Sequence, residues 1–203
     1  ANARETAGLR LEPVELAPEP TLIATWDTPY RRDPASVPLT EKLDLLVEVV
    51  RRMEEHPGVA VADAMMDFRT ERQRQLTSEG SDLTQTLRFA GVGMGATSVG
   101  PGGVQRRSYP NSWGQFIGGG YELIEESDLP GHCARIAAEA AALQEAEVCP
   151  SGRFDLILDP RQLTLQIHES VGHPLELDRV LGGEANYAGT SFATHEKLGH
   201  LQY

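Results

Sequence analysis

The chain has 203 residues, 40% of them hydrophobic and 24% charged, which places it among globular proteins and excludes a disordered or fibrous chain. Thirty acidic residues against 18 basic ones give a formal charge of −12, which repels a phosphate backbone and argues against direct nucleic-acid binding. The longest uncharged stretch, 89–105, is interrupted by glycines and Pro101, so no membrane span is expected.

Residues 1–40 begin without a methionine and without an apolar secretion core, and read as the start of an internal fragment. Prolines 13, 18, 20, 29, 34 and 38 restrict the backbone and remove donors, which predicts an extended Pro-rich surface segment.

Residues 41–150 read as an α+β domain. Leu43, Leu46, Val47, Val50 and Met53 recur at helical spacing, with Thr40 as the expected N-cap and Pro57-Gly58 as the stop. Alternating tracts from Val59 to Leu76 and from Leu83 to Val92 predict an antiparallel meander around a Thr77-Ser78-Glu79-Gly80 turn, with further short strands up to Ile124. Gly91, Gly93 and Gly95 fail the spacing of a nucleotide loop and read as a turn or bulge. Ser127-Asp128 caps a second helix whose Cys133, Ile136, Ala137, Ala140 and Leu143 share one face and which ends near Val148. The two cysteines, Cys133 and Cys149, are too few for a disulfide scaffold and point to a reducing compartment, hence the cytoplasm. Cys149 reads as a small buried hydrophobe rather than a metal ligand.

Residues 151–203 read as the incomplete start of a second domain. Phe154–Leu158 is an apolar run resembling a buried strand, and Asp159-Pro160 opens a helix. On that helix lies His168-Glu169-Ser170-Val171-Gly172-His173. Neutral imidazoles suit Zn²⁺, and a carboxylate beside them can take a proton from water whose pKa the ion lowers to about 7. Composition alone gives about 0.02 chance occurrences of HExxxH, so the pattern carries information. It occurs twice, however, and the second copy, His195 to His200, comes after Gly189-Thr190-Ser191 and lacks an apolar run, so the first copy is preferred.

The spacing of the first copy has a geometric consequence. Positions i and i+5 of a regular α-helix lie about 140° apart, so the imidazoles diverge unless the helix is underwound. A one-residue π-bulge restores convergence, and Gly172 and Pro174 favour such a distortion. Glu176, three residues after His173, is positioned either to ligate or to orient an imidazole from outside the ligand set, or to pair with Arg179 at the surface.

Gly152 and the run 154–158, then His168-Glu169-Ser170-Val171-Gly172-His173 with Leu175, Glu176 and Asp178, resemble the signature of the TldD/PmbA peptidases; Gly189-Thr190-Ser191-Phe192 and Lys197-Leu198-Gly199 are similar to the segment downstream of that signature in the family. The resemblance implies a two-domain zinc peptidase that cleaves unstructured peptides in an enclosed chamber. It implies His168 and His173 as metal ligands, Glu169 as general base, and a homo- or hetero-dimer with a subunit of the same type. The third ligand it implies is a cysteine in a largely β C-terminal domain beyond Tyr203, so the fragment alone is expected to be inactive. The competing reading is a non-catalytic peptide-binding or partner subunit whose histidines are vestigial or structural.

Overall fold

In a computed structural model of the protein, residues 18–112 and 114–200 are described. The chain divides into two compact units, Ala1–Ala146 and Glu147–Tyr203. The architecture is α+β.

In the first unit β1 (Ile23–Asp27) precedes a short 3₁₀ turn at Pro34–Ser36 and α1 (Leu39–Glu54). The described part of the Pro-rich segment therefore contributes to the sheet and the core: β1 lies parallel to β3, and Val37 is buried. The start of that segment, residues 1–17, lies outside the described residues. Thr40 is inside α1, whose N-cap is Pro38, a correction to the expected cap. The buried stripe is also phased differently, centred on Val49 and Met53, while Leu43 and Val47 are about half exposed.

Two long strands, β2 (Val61–Leu76) and β3 (Asp82–Gly100), form one antiparallel hairpin in unbroken register from Val61 opposite Thr97 to Leu76 opposite Asp82. The turn is tied by Thr77 N–H to Ser81 O and Gly80 N–H to Thr77 O. Gly80 has φ +97°, the left-handed conformation that glycine adopts without penalty. Along the other edge of β3 lie β1, β5 (Gln115–Gly118) and β4 (Gly103–Tyr109), giving a mixed five-stranded sheet rather than a plain meander. The expected strand tract up to Ile124 ends earlier, because Ile124 belongs to the short α2 (Glu122–Glu126).

Gly91, Gly93 and Gly95 form neither a turn nor a bulge. They occupy one face in the middle of β3, where a Cβ would meet the Phe116 ring at 2.2 Å, Gly114 Cα at 2.7 Å and the Arg106 guanidinium at 2.3 Å. Alternation does the rest: Ala90, Val92, Met94 and Ala96 face the opposite way into the core.

That core is completed by α3 (Leu129–Ala142), which buries Leu129, Cys133, Ile136, Ala137 and Ala140. Asp128 caps it by accepting from Gly131 N–H, as its position in the sequence suggests. The helix stops at Ala142, short of Val148, leaving Cys149 exposed rather than buried. Among the described residues, no helix is long and apolar enough to cross a membrane.

Tertiary contacts explain the remaining polar and aromatic residues of this unit. Glu122, buried at the start of α2, accepts from Arg32 N–H at 3.0 Å and Gly120 N–H at 3.1 Å. Burial alone would raise its pKa, but the backbone N–H groups of Arg32, Glu122, Arg31 and Gly120 outweigh that and lower it to about 2. Tyr121 is buried and stacks on Phe68, whereas Trp26 and Tyr30 are substantially exposed; Trp113 lies outside the described residues. His56 accepts from Gly58 N–H at the end of α1, and His132 packs on Tyr109. Both are structural.

The second unit contains α4 (Pro160–Ile167), a π-helical turn at His168–Gly172, a 3₁₀ turn at His173–Leu175 and α5 (Leu177–Val180). Phe154–Leu158 is not a strand. Its residues are irregular, and Leu156 and Ile157 are almost or wholly exposed, because no strand among the described residues offers them a ladder. Leu163, Leu165, Ile167, Val171 and Leu175 are likewise exposed, and Ala193 is the buried apolar residue of this unit among those described.

Candidate metal centre

Asp159 caps α4 by accepting from Arg161 N–H at 2.9 Å, and Pro160 takes the first helical position, where its missing donor costs nothing. The helix therefore starts where the sequence predicts and carries His168 at its C-terminal end.

From there the backbone changes pitch. His173 N–H donates to the carbonyl of His168, five residues back, in place of the four-residue spacing of an α-helix. The widened turn brings two side chains onto one face that a regular helix would hold about 140° apart. Pro174 is then the second residue of the 3₁₀ turn, and having no N–H it cannot continue either ladder. Gly172 makes less of a contribution than its type suggests: its φ of −57° is ordinary helix, and a Cβ there would meet nothing within 4 Å.

The rings of His168 and His173 meet edge to face at 4.4 Å between centroids. The Glu169 carboxylate sits between them, with Oε1 3.9 Å from His168 Nε2 and Oε2 3.9 Å from His173 Nε2. These separations exceed hydrogen-bond length, so neither Nε2 is tied to the carboxylate. One ligand atom from each of the three residues lies within 4.8 Å of the other two. Tetrahedral zinc with bonds of about 2.0 to 2.1 Å needs ligand atoms roughly 3.4 Å apart, a contraction within the reach of side-chain torsions. The two imidazole nitrogens are donors that Zn²⁺ accepts, and the carboxylate between them stands beside the place an ion would take.

On the outer side, His173 Nδ1 lies 2.7 Å from Glu176 Oε1. A carboxylate only accepts, so Nδ1 is the donor in this contact, which in the neutral imidazole leaves the lone pair on Nε2. Glu176 Oε2 is in turn 2.8 Å from Arg179 Nε. Glu176 thus reaches the imidazole and the arginine at once.

The second HExxxH sequence makes no such cluster. His195–Lys197 is a 3₁₀ turn, Gly199 takes φ +77°, and among the described residues these histidines join no group of three metal-binding side chains. Neither cysteine takes part: Cys133 is buried in the first unit, and Cys149 joins no such group among the described residues. Arg179 is the participant that sequence reasoning used only as a partner for Glu176; its spacing of three from Glu176 and six from His173 was the available signal.

Three archaeal proteins, each named a metalloprotease, are similar to this chain. That of Methanothermobacter thermautotrophicus is 28% identical over 158 residues, covering 78% of this chain and 34% of the relative. That of Methanocaldococcus jannaschii is 27% identical over 154 residues, 75% of this chain and 32% of the relative. That of Archaeoglobus fulgidus is 28% identical over 154 residues, 75% of this chain and 34% of the relative. The chain thus spans about a third of the length of the curated relatives it matches. No family model and no solved structure matches it.

Proposed function

We propose that the chain carries the metal-binding turn of a zinc-dependent peptidase of the TldD/PmbA type, acting on unstructured peptides. The observation that carries this reading is the π-helical turn: it converts an HExxxH spacing, unusable in a regular helix, into two converging imidazoles with a carboxylate between them. The similarity to three proteins named metalloprotease supports it independently.

In this proposal His168 and His173 hold the ion through Nε2, and Glu176 fixes the ring of His173 from behind. Bound zinc supplies Lewis-acid polarisation of a peptide carbonyl and a lowered pKa for water. Glu169, exposed and free of hydrogen-bond partners at its 3.9 Å approach to each ring, accepts a proton from the attacking water and passes it to the leaving amine. A third ligand, a cysteine of a largely β C-terminal domain, and a second subunit of the same type complete the enzyme on this reading. The same reading pairs residues 154–158 with strands of that domain, giving the exposed apolar run a ladder. Extended peptides are then recognised by main-chain pairing, which excludes folded substrates.

The test uses the full-length protein. About one zinc per chain, lost in His168→Ala, together with Glu169→Gln that keeps the metal and loses peptide cleavage, supports the proposal. A metal-free protein, or His168→Ala that cleaves like the wild type, ends it. Metal without cleavage in the wild type points instead to a peptide-binding or partner subunit.

A further inference from the structure

We infer that Arg179 is a positioning residue of the metal centre, acting through Glu176 on the tautomer of His173; the inference rests on the proposed metal site and extends it by one shell. Glu176 joins the 3₁₀ turn to α5 with an extended backbone, and its side chain lies between His173 on one side of that joint and Arg179 on the other. Glu176 is the N-cap residue of α5 by backbone position, yet its side chain makes no capping bond. Its two oxygens are committed elsewhere, Oε1 to His173 Nδ1 at 2.7 Å and Oε2 to Arg179 Nε at 2.8 Å. The contact with Arg179 is an ion pair at close range without hydrogen-bond alignment, so the arginine acts as a placed charge.

The three members differ in burial. The Glu176 side chain is 40% exposed, His173 31% and Arg179 23%, so the cation is the most enclosed member and the anchor of the three. A second carboxylate, Glu184, stands 4.0 Å from the same Nε and adds a further negative charge beside the guanidinium. A carboxylate bonded through one oxygen alone can rotate away from the imidazole. With the second oxygen held by a fixed charge, Nδ1–H stays engaged and Nε2 keeps its lone pair directed at the ion site.

The experiment tracks the ring nitrogens of ¹⁵N-histidine-labelled full chain by NMR without metal, and zinc affinity by titration. The wild type is expected to show His173 as a single Nδ1–H tautomer. Arg179→Met is expected to give mixed tautomers and zinc binding weaker by about tenfold, the loss typical of outer-shell partners. Arg179→Lys restores most of both, since a point charge suffices at this contact. On a Glu176→Gln background Arg179→Met adds nothing if the arginine acts through Glu176, and a further loss there overturns the inference. So does Arg179→Met with an unchanged tautomer and wild-type affinity. Should Arg179→Met unfold, Glu176→Ala removes the acceptor in the middle of the same contacts and must by itself give mixed tautomers; a single Nδ1–H form refutes the scheme. A wild type that binds no zinc removes the proposed function, while the tautomer comparison still decides the role of Arg179.

Discussion

The backbone N–H of His173 donates to the carbonyl of His168, and this five-residue spacing sets the direction of both imidazoles. A regular α-helix needs an N–H at position 174 to bond Ser170, and Pro174 has none, so the register can widen without losing a bond. Pro174→Ala is expected to let the turn relax toward α geometry and to weaken zinc binding by about tenfold or more as the rings diverge. Zinc titration against unchanged thermal unfolding checks it.

Gly172→Ala is expected to behave differently. The residue has ordinary helical angles and open space at its Cβ, so alanine should leave metal binding intact and raise stability by about 0.5 to 1 kcal/mol through lower unfolded-state entropy. A substantial loss of either metal or stability would contradict the π-helical geometry of the turn.

The glycine stripe of β3 gives a graded prediction. A Cβ at Gly93 meets the backbone of Gly114, which has no torsion to swing aside, whereas a Cβ at Gly91 meets the ring of Phe116, a half-exposed side chain. Gly93→Ala should cost about 2 to 3 kcal/mol and Gly91→Ala less, measured by denaturant unfolding. Equal costs would show that the ring is as fixed as the backbone.

Acid should act through Glu122. Its folded pKa of about 2 lies below the ordinary 4.5, so its contribution is fully present above pH 4.5 and is lost as pH falls toward 2. The contribution is up to about 3 kcal/mol, with the carboxylate almost wholly buried by accessible surface. Glu122→Gln should therefore be less stable than the wild type at pH 7, with the difference shrinking between pH 4.5 and 2.

The two thiols should separate in a native-state alkylation assay. Cys149 is exposed, while Cys133 is buried, its thiol pushed up by burial and donating to Leu129 O at 3.3 Å. One thiol should react quickly and the second only on unfolding. Two fast thiols would mean that α3 opens readily.

The local devices of the fold are written in short sequence intervals. Asp128 and Asp159 cap helices because an acid shortly before a proline supplies an acceptor and a preset φ, and neither needs a distant partner. The helical stripe of α3 and the distortion between His168 and His173 are legible for the same reason, since 3.6-residue periodicity makes a five-residue histidine spacing costly. The features that could not be read locally depended on what lies opposite. Thr40 gave way to Pro38 and the stripe of α1 shifted its phase because the sheet chose which side chains it would cover. Gly91, Gly93 and Gly95 became a docking stripe through Phe116, Gly114 and Arg106, at least 11 positions along the chain. Phe154–Leu158, apolar enough for a strand, stayed irregular because a strand is a pairing and not a composition.

The sequence by itself determined the ligand types, their five-residue interval and the proline that breaks the register, because these act through the backbone within one turn. Tertiary structure alone decided that Glu169 stands between the rings and that Glu176 spans His173 and Arg179, because side-chain direction depends on the final pitch of the chain and the charges it brings together.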